Sequence, residues 1–287
     1  VQLIKVGADP EVGIYNTAKG IVVPGCGKIP GTKAKPHPVP NSKIGLKIQE
    51  DGVSLEYNFD PVPVKDFYRR ALDAAAGVRK MVSALFGPDY DWWIGDGHTF
   101  DMKQLLPHPQ AMCFGCDPDY LAHRRGEMRM PLDANDLGGN RFFAGHIHIG
   151  YDRKSCLVPD WAIVQGMEAL AYTHLACLGY DDQPNRRKYY GIPGLFRPKS
   201  YGLEYRTPSN FWVHQPQHVS TLISTAEHII NKPAKFQEIY RRINFDDVVG
   251  YINDPRKRGT EVFVDSMGDL RDELFAAPEE NIDGEEK

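Results

Sequence analysis

The chain has 287 residues, 41% of them hydrophobic and 25% charged, with a net charge of -4 and a pI near 6.2. This is the composition of a soluble globular protein long enough to bury a full core. No run approaches the roughly 18 apolar residues of a membrane span, the opening Val1-Gln2-Leu3-Ile4-Lys5-Val6 turns polar too soon for a signal peptide, and the lack of a basic excess disfavours a nucleic-acid coat or sliding protein. A cytoplasmic location and small partners are expected. Cysteine use agrees, because Cys26, Cys113, Cys116, Cys156 and Cys177 are too sparse and odd in number for a disulfide framework. Cys113-Phe114-Gly115-Cys116 has zinc-knuckle or redox spacing but no second pair at ribbon distance, and reads as coincidental.

Residues 2–7 alternate into an apolar strand that continues across Asp9-Pro10-Glu11 to Tyr15. Proline inside a strand predicts an edge or a bulge. Asp9 and Glu11 share one face, and two carboxylates brought together are costly unless a cation lies between them. The plainer reading is a turn with exposed acids, since Asp-Pro often starts one. Residues 24–40 form a Gly/Pro/Lys-rich loop without P-loop spacing, predicted to be a mobile basic flap from which Lys28, Lys33 or Lys35 reaches an anionic ligand, or else a solvated loop. Asp51-Gly52 then signals a hairpin turn. A two-residue turn there pairs Gln49 with Ser54 and Lys47 with Glu56. Lys47, Gln49, Ser54, Glu56 and Asn58 make one polar face, against an apolar face of Leu46, Ile48, Leu55, Tyr57 and Phe59. Glu50 falls on the apolar side unless the turn is bulged, so Glu56 is the firmer functional candidate.

From Pro63 to Phe86 apolar residues recur at helical spacing, predicting a long amphipathic helix on the sheet. Residues 87–142 show only Trp92-Trp93-Ile94 as a short strand, and Arg124, Arg125 and Arg129 read as a solvated basic cluster. Residues 140–151 form a strand that puts His146 and His148 on one face, a common metal-ligand arrangement. Residues 159–179 form a buried apolar helix with Pro at its start and Gly at its stop. After a polar loop with Arg186 and Arg187, Tyr201-Gly202-Leu203-Glu204-Tyr205-Arg206-Thr207 is a short strand in which Glu204 and Arg206 share a face, preceded by Arg197 and Lys199. Alone, that pair reads most simply as a solvated ion pair. Helices follow at roughly 216–231, 233–243 and 245–253, and the acidic stretch 276–287 is expected to fray. With no internal repeat or linker, residues 1–275 read as one domain.

The polar sets Asp9/Glu11, Glu56/Asn58, His146/His148 and Glu204/Arg206 each sit on a strand at a spacing of two. On one curved antiparallel sheet they converge on a carboxylate-rich concavity, and hard oxygen ligands with few histidines suit Mg²⁺ or Mn²⁺ rather than zinc. An acidic pair on an early strand, a Glu-aromatic-amide strand, Gly-x-His-x-His and a late Glu-x-Arg, in this order, resemble the glutamine synthetase-like carboxylate-amine ligases. Residues 7–11, 49–53, 145–150 and 196–212 are similar more closely to the phage-type amidoligase branch, the COOH.NH2 ligase type 2 group. The resemblance spans roughly residues 3–213 and leaves the later helices unmatched.

The resemblance implies an α+β fold, a curved antiparallel β-sheet of glutamine synthetase-like catalytic type with helices packed on its outer face. It implies that Asp9, Glu11, Glu56, His146 and Glu204 bind metal ions beneath ATP, and that Arg206 neutralises the transferring phosphoryl group, with Glu50 as a further catalytic candidate. Arg197, Lys199, His148, Lys33 and Asn58 are the implied ATP and phosphate contacts. The implied reaction joins a small-molecule or peptide carboxylate to an amine through an acyl phosphate, with Mg²⁺ or Mn²⁺, in the cytoplasm of an infected host cell if the phage resemblance holds. Two other readings compete: a guanidino kinase-like phosphotransferase of the same fold, and a non-catalytic nucleotide-binding protein on the same scaffold.

Overall fold

The computed structural model describes residues 1–95, 97–112, 117–130, 137–181 and 184–277. The Cys113/Cys116 pair and residues 278–287 of the acidic tail lie outside them. The described part is α+β. Thirteen strands join in one antiparallel sheet, whose main path runs β11 (Glu127–Arg129), β10 (Asp119–Leu121), β14 (Leu195–Lys199), β15 (Gly202–Tyr205), β13 (Gly145–Gly150), β1 (Lys5–Asn16), β6 (Ser54–Asn58), β5 (Lys47–Asp51), β4 (Lys35–Pro38) and β3 (Gly31–Thr32). Three further strands, β2 (Ile21–Val23), β7 (Val62–Pro63) and β8 (Tyr90–Trp93), pair with β1. Among the described residues the strands do not close into a barrel.

The strand that proline was expected to push to an edge is the middle of the sheet. β1 pairs with β13 from Lys5 to Pro10 and with β6 at Glu11 and Val12, so Pro10 falls where one neighbour gives way to the other. A residue without an N–H is tolerated at such a change of partner.

Strand alternation sorts the side chains by face. Val6, Ala8, Val12, Leu55, Tyr57, Ile147, Ile149, Leu203 and Tyr205 are buried in a single core with the helices. That core takes in Phe67, Ala71, Ala74, Ala75, Val78 and Val82 of the helix Phe67–Phe86, and Ala162, Ile163, Val164 and Met167 of the helix Asp160–Met167. The opposite face keeps the polar residues. Gly145 is required by close approach, since a Cβ there would lie 2.0 Å from the Ser209 carbonyl and 2.5 Å from Trp212 Nε1.

Several local expectations change. The hairpin turn is Gly52-Val53, with Asp51 opposite Ser54 and Gln49 opposite Glu56. The register thus differs by two residues from a turn at Asp51-Gly52, and because two is the side-chain period the faces survive intact. The basic loop is no free flap over its whole length, because 31–32 and 35–38 add two short strands beside β5. Residues 140–151 are two strands: β12 (Asn140–Phe142) pairs with β9 (Gly97–Thr99) in a separate ribbon before β13 begins. The buried helix is interrupted by a π-helical turn, Glu168–Tyr172, before it resumes over Thr173–Cys177. A last helix, Thr260–Phe275, was not foreseen, although Phe263, Met267, Leu270 and Leu274 have helical spacing and the last three are buried. No helix is long and apolar enough to cross a membrane.

Candidate functional site

The pairing of β1 with both β13 and β6 brings the polar sets together. Asp9 stands opposite His146, Glu11 opposite Glu56, and His148 and Arg197 both opposite Glu204. Asp9, Glu11, Glu50, Asp51, Glu56, His146, Arg197, Lys199, Glu204 and Arg206 line one cavity of about 450 Å³. Its floor is the sheet.

The acids fall into two groups. Glu11, Asp51 and Glu56 offer carboxylate oxygens all within 4.8 Å of one another, and Asp9, His146 and Glu204 do the same with one imidazole nitrogen. Asp51 was read only as a turn residue, but strand alternation from Lys47 and Gln49 carries it to the polar face once the turn moves one residue on. Glu50 joins neither group; its Oε2 accepts the Gly27 N–H at 2.5 Å and ties down the basic loop.

The groups differ in charge balance. Among the described residues no Lys, Arg or His pairs with Glu11, Asp51 or Glu56, and the one contact of Glu11 Oε2 is the Ala144 N–H at 3.1 Å. Burial, then the Asp51 carboxylate, pushes Glu11 up to about 8. Burial, then Asp9, Asp51 and Glu11, holds Glu56 well above the usual carboxylate range. Three carboxylates so arranged fit a hard divalent cation.

Glu204, by contrast, already meets cations. It pairs with Arg206, with Lys199 Nζ at 2.7 Å and with Arg197 Nη1 at 3.9 Å. Burial opposes its charge but Arg206 prevails, holding Glu204 down at about 2. Asp9 meets His148 Nε2 at 2.9 Å and His146 Nδ1 at 3.5 Å, and these imidazoles lower it despite burial. His146 Nδ1 also faces Arg206 Nη1 at 3.2 Å; burial, then Arg206, lowers the imidazole and keeps it neutral. His148 goes the other way, raised by Asp9 against its burial, and its Nδ1 contacts the Tyr201 hydroxyl. A cation in this second group must displace positive side chains, so the first group fits a metal ion better.

Arg206 is held in place by an acid that the sequence did not single out. Asp119 Oδ1 lies 3.0 Å from Arg206 Nε and 2.8 Å from Arg197 Nε, bridging both guanidiniums. Despite burial, Glu204 and then Asp119 raise Arg206 further. Its Nη2 makes no hydrogen bond with the described residues and so is available to an anion.

The other expected nucleotide contacts lie next door. Lys33, Asn58 and His148 line an apolar cleft of about 590 Å³ with Phe59, Pro61 and Tyr201, and it shares Asp9, Lys33 and Glu56 with the acidic cavity. Arg197 and Lys199 face the acidic cavity alone. The expected ligand set is thus divided between two connected spaces.

Residues 140–245 match the family model of phage phiEco32-like COOH.NH2 ligase-type 2. That name denotes ligases acting on a carboxylate and an amine, which supports a carboxylate–amine ligase in general. The matched stretch carries His146, His148, Arg197, Lys199, Glu204 and Arg206, whereas Asp9, Glu11, Asp51 and Glu56 precede it. No curated protein matches the chain.

The raised carboxyls set a pH dependence. Glu11 holds in the fold, up to about pH 8, a proton that the unfolded chain releases near its ordinary 4.5. Without a cation its contribution therefore falls as pH rises between those values, and a cation that displaces the proton binds more tightly over the same window. The rise in melting temperature given by Mg²⁺ or Mn²⁺ over EDTA is expected to grow from about pH 6 to about pH 8, and Glu11→Gln to flatten it. A shift independent of pH in differential scanning fluorimetry would place the cation away from Glu11.

Proposed function

We propose that the protein is an ATP-dependent carboxylate–amine ligase working through an acyl phosphate with Mg²⁺ or Mn²⁺, in the cytoplasm. One observation carries this reading: a carboxylate trio, Glu11/Asp51/Glu56, that no Lys, Arg or His pairs with among the described residues, shares a cavity with the cationic wall of Arg197, Lys199 and Arg206. Phosphoryl transfer needs positioning and charge neutralisation more than covalent help from the protein, and this is a site of that kind.

Glu11, Asp51 and Glu56 would hold one cation, and Asp9, His146 and Glu204 are the second, weaker candidate set. When bound, the ion supplies charge neutralisation for the phosphate oxygens. Lys199 and Arg206, anchored through Glu204 and Asp119, present positive charge to the γ-phosphoryl group. A substrate carboxylate oxygen bonds to the γ-phosphorus as the bond to ADP breaks. The amine nitrogen then bonds to the acyl carbon, phosphate leaves, and the nitrogen loses a proton to give the amide.

Hydroxylamine is a general amine stand-in for testing this. With Mg²⁺, ATP and a panel of succinate, glutarate and the dipeptide Ala-Glu, ADP release is expected to depend on the acid and to match hydroxamate formation one for one. Acid-dependent ADP release with no hydroxamate would sink the ligase reading, and phosphorylation of a guanidino compound instead would make the protein a phosphotransferase.

A further inference from the structure

The acidic cavity continues past Glu11 and Asp51. A neck of about 60 Å³ adjoins it there, lined also by Ser54, Phe142, Ala144 and Tyr190 and by the guanidinium-bearing Arg141 and Arg186. The neck shares Glu11, Asp51 and Tyr190 with the acidic cavity, and shares Arg141 and Phe142 with an outer pocket of about 620 Å³ beside the β9–β12 ribbon. Neither neck nor outer pocket shares a lining residue with the apolar cleft that holds Lys33, Asn58 and His148. The carboxylate trio is therefore flanked by two spaces with separate linings, the apolar cleft at Glu56 and the neck at Glu11 and Asp51.

The neck side is built for an anion. Among the described residues its outer pocket contains no carboxylate, while the cations Lys188 and Arg141 line it. Arg186, 1% exposed, gives Nη1 to the Thr207 carbonyl at 2.7 Å and Nη2 to the Pro208 carbonyl at 3.0 Å, and its buried Nε has no hydrogen-bond partner among the described residues. A buried guanidinium N–H left without an acceptor is costly, and a ligand oxygen in the neck relieves it.

In phosphoryl transfer the attacking and leaving oxygens lie on opposite sides of phosphorus. If the nucleotide occupies the apolar cleft, the acid must arrive from the other side. Resting on the ligase reading, we propose that the carboxylate substrate enters through the β9–β12 side, recruited by Lys188 and held in the neck by Arg186. The neck, at about 60 Å³, is much smaller than the spaces it adjoins, about 450 and 620 Å³, and favours a slim carboxylate arm over a ring or branch. The wide polar outer pocket takes the rest of the molecule. The substrate class is then an acidic side chain or terminal carboxylate on a larger polar body, such as a peptide.

Lys188 and Asn185 are exposed, and among the described residues Lys188 Nζ bonds to Asn185 Oδ1 alone, at 3.2 Å, so the fold tolerates changes there. In the hydroxylamine assay Lys188→Glu is expected to raise KM for the acid about tenfold at low salt, and less at high salt, while KM for ATP and for hydroxylamine stays put. Asn185→Trp, narrowing the mouth, should act most on Ala-Glu and least on succinate. Lys33→Glu, on the other approach, should raise KM for ATP instead. Calorimetry of the same acids against the protein loaded with Mg²⁺ and AMP-PNP gives a readout without turnover, in which Lys188→Glu weakens acid binding. Unchanged acid KM in both mouth variants, a shift in hydroxylamine KM in its place, or no acid binding to the nucleotide-loaded protein overturns the inference. Failure of the wild-type protein to bind Mg²⁺ and AMP-PNP overturns the ligase reading instead.

Discussion

Arg206→Lys is expected to leave the fold and nucleotide binding nearly intact and to lower carboxylate-dependent ADP release by about 10²–10³-fold, the range seen when a preorganised transition-state donor is removed. The charge is kept; the fork is not. Arg206 uses Nε on Asp119 and Nη1 on Glu204 and His146, which leaves Nη2 for a ligand in a fixed direction. An ammonium is a point charge on a flexible stem and satisfies one acid at a time. Asp119 keeps Arg197 as a partner in the variant, so the stability loss stays small beside the loss in rate. Single-turnover ADP release with calorimetric nucleotide binding separates the two, and near wild-type turnover would make Arg206 a purely structural part of the acid network.

The largest stability effect is expected at Glu168. This carboxylate is wholly buried in the π-helical turn. Its Oε1 accepts the Gly194 N–H at 2.7 Å, the Tyr205 hydroxyl at 3.0 Å and the Thr207 hydroxyl at 2.7 Å, and its Oε2 lies 2.6 Å from His123 Nε2. Tyr205 and Thr207 flank Arg206, so Glu168 fixes the strand end that aims the guanidinium. Glu168→Ala leaves the Gly194 N–H, the Tyr205 hydroxyl and the half-buried His123 Nε2 without this acceptor, weakens the hold on the Thr207 hydroxyl and leaves a cavity, and about 3–5 kcal/mol of stability should go with it. Glu168→Gln keeps an oxygen for the three donors and can turn its amide to the His123 nitrogen, so it should cost about 1–2 kcal/mol. Urea unfolding of the three proteins tests this. An alanine variant with the wild-type midpoint would mean that the network contributes no net stability.

Glu168 and Asp119 show where the sequence runs out. Both look ordinary in the chain: one acid in an apolar helix, another in a stretch without period. Their roles come from partners far away in sequence, Asp119 meeting Arg197 and Arg206, and Glu168 meeting residues 194, 205 and 207. Asp51 was nearer to hand. Its face followed from the same alternation that placed Gln49 and Glu56, and only the turn's position hid it. The π-helical turn had no such signal, because the 159–179 segment is apolar on all sides and buried alike as α or π.

What the sequence determined by itself is the face on which each polar residue lies. Side chains alternate along any strand, so Asp9 with Glu11, His146 with His148 and Glu204 with Arg206 had to project together once those segments were extended. The tertiary structure alone decided which strands became neighbours. Seating β1 between β13 and β6 separates Asp9, beside the histidines and the cationic wall, from Glu11, beside Glu56 and Asp51, with which no Lys, Arg or His pairs among the described residues. Local propensity cannot specify this choice, because pairing between segments far apart in the chain is set by burying all their apolar faces at once against the helices.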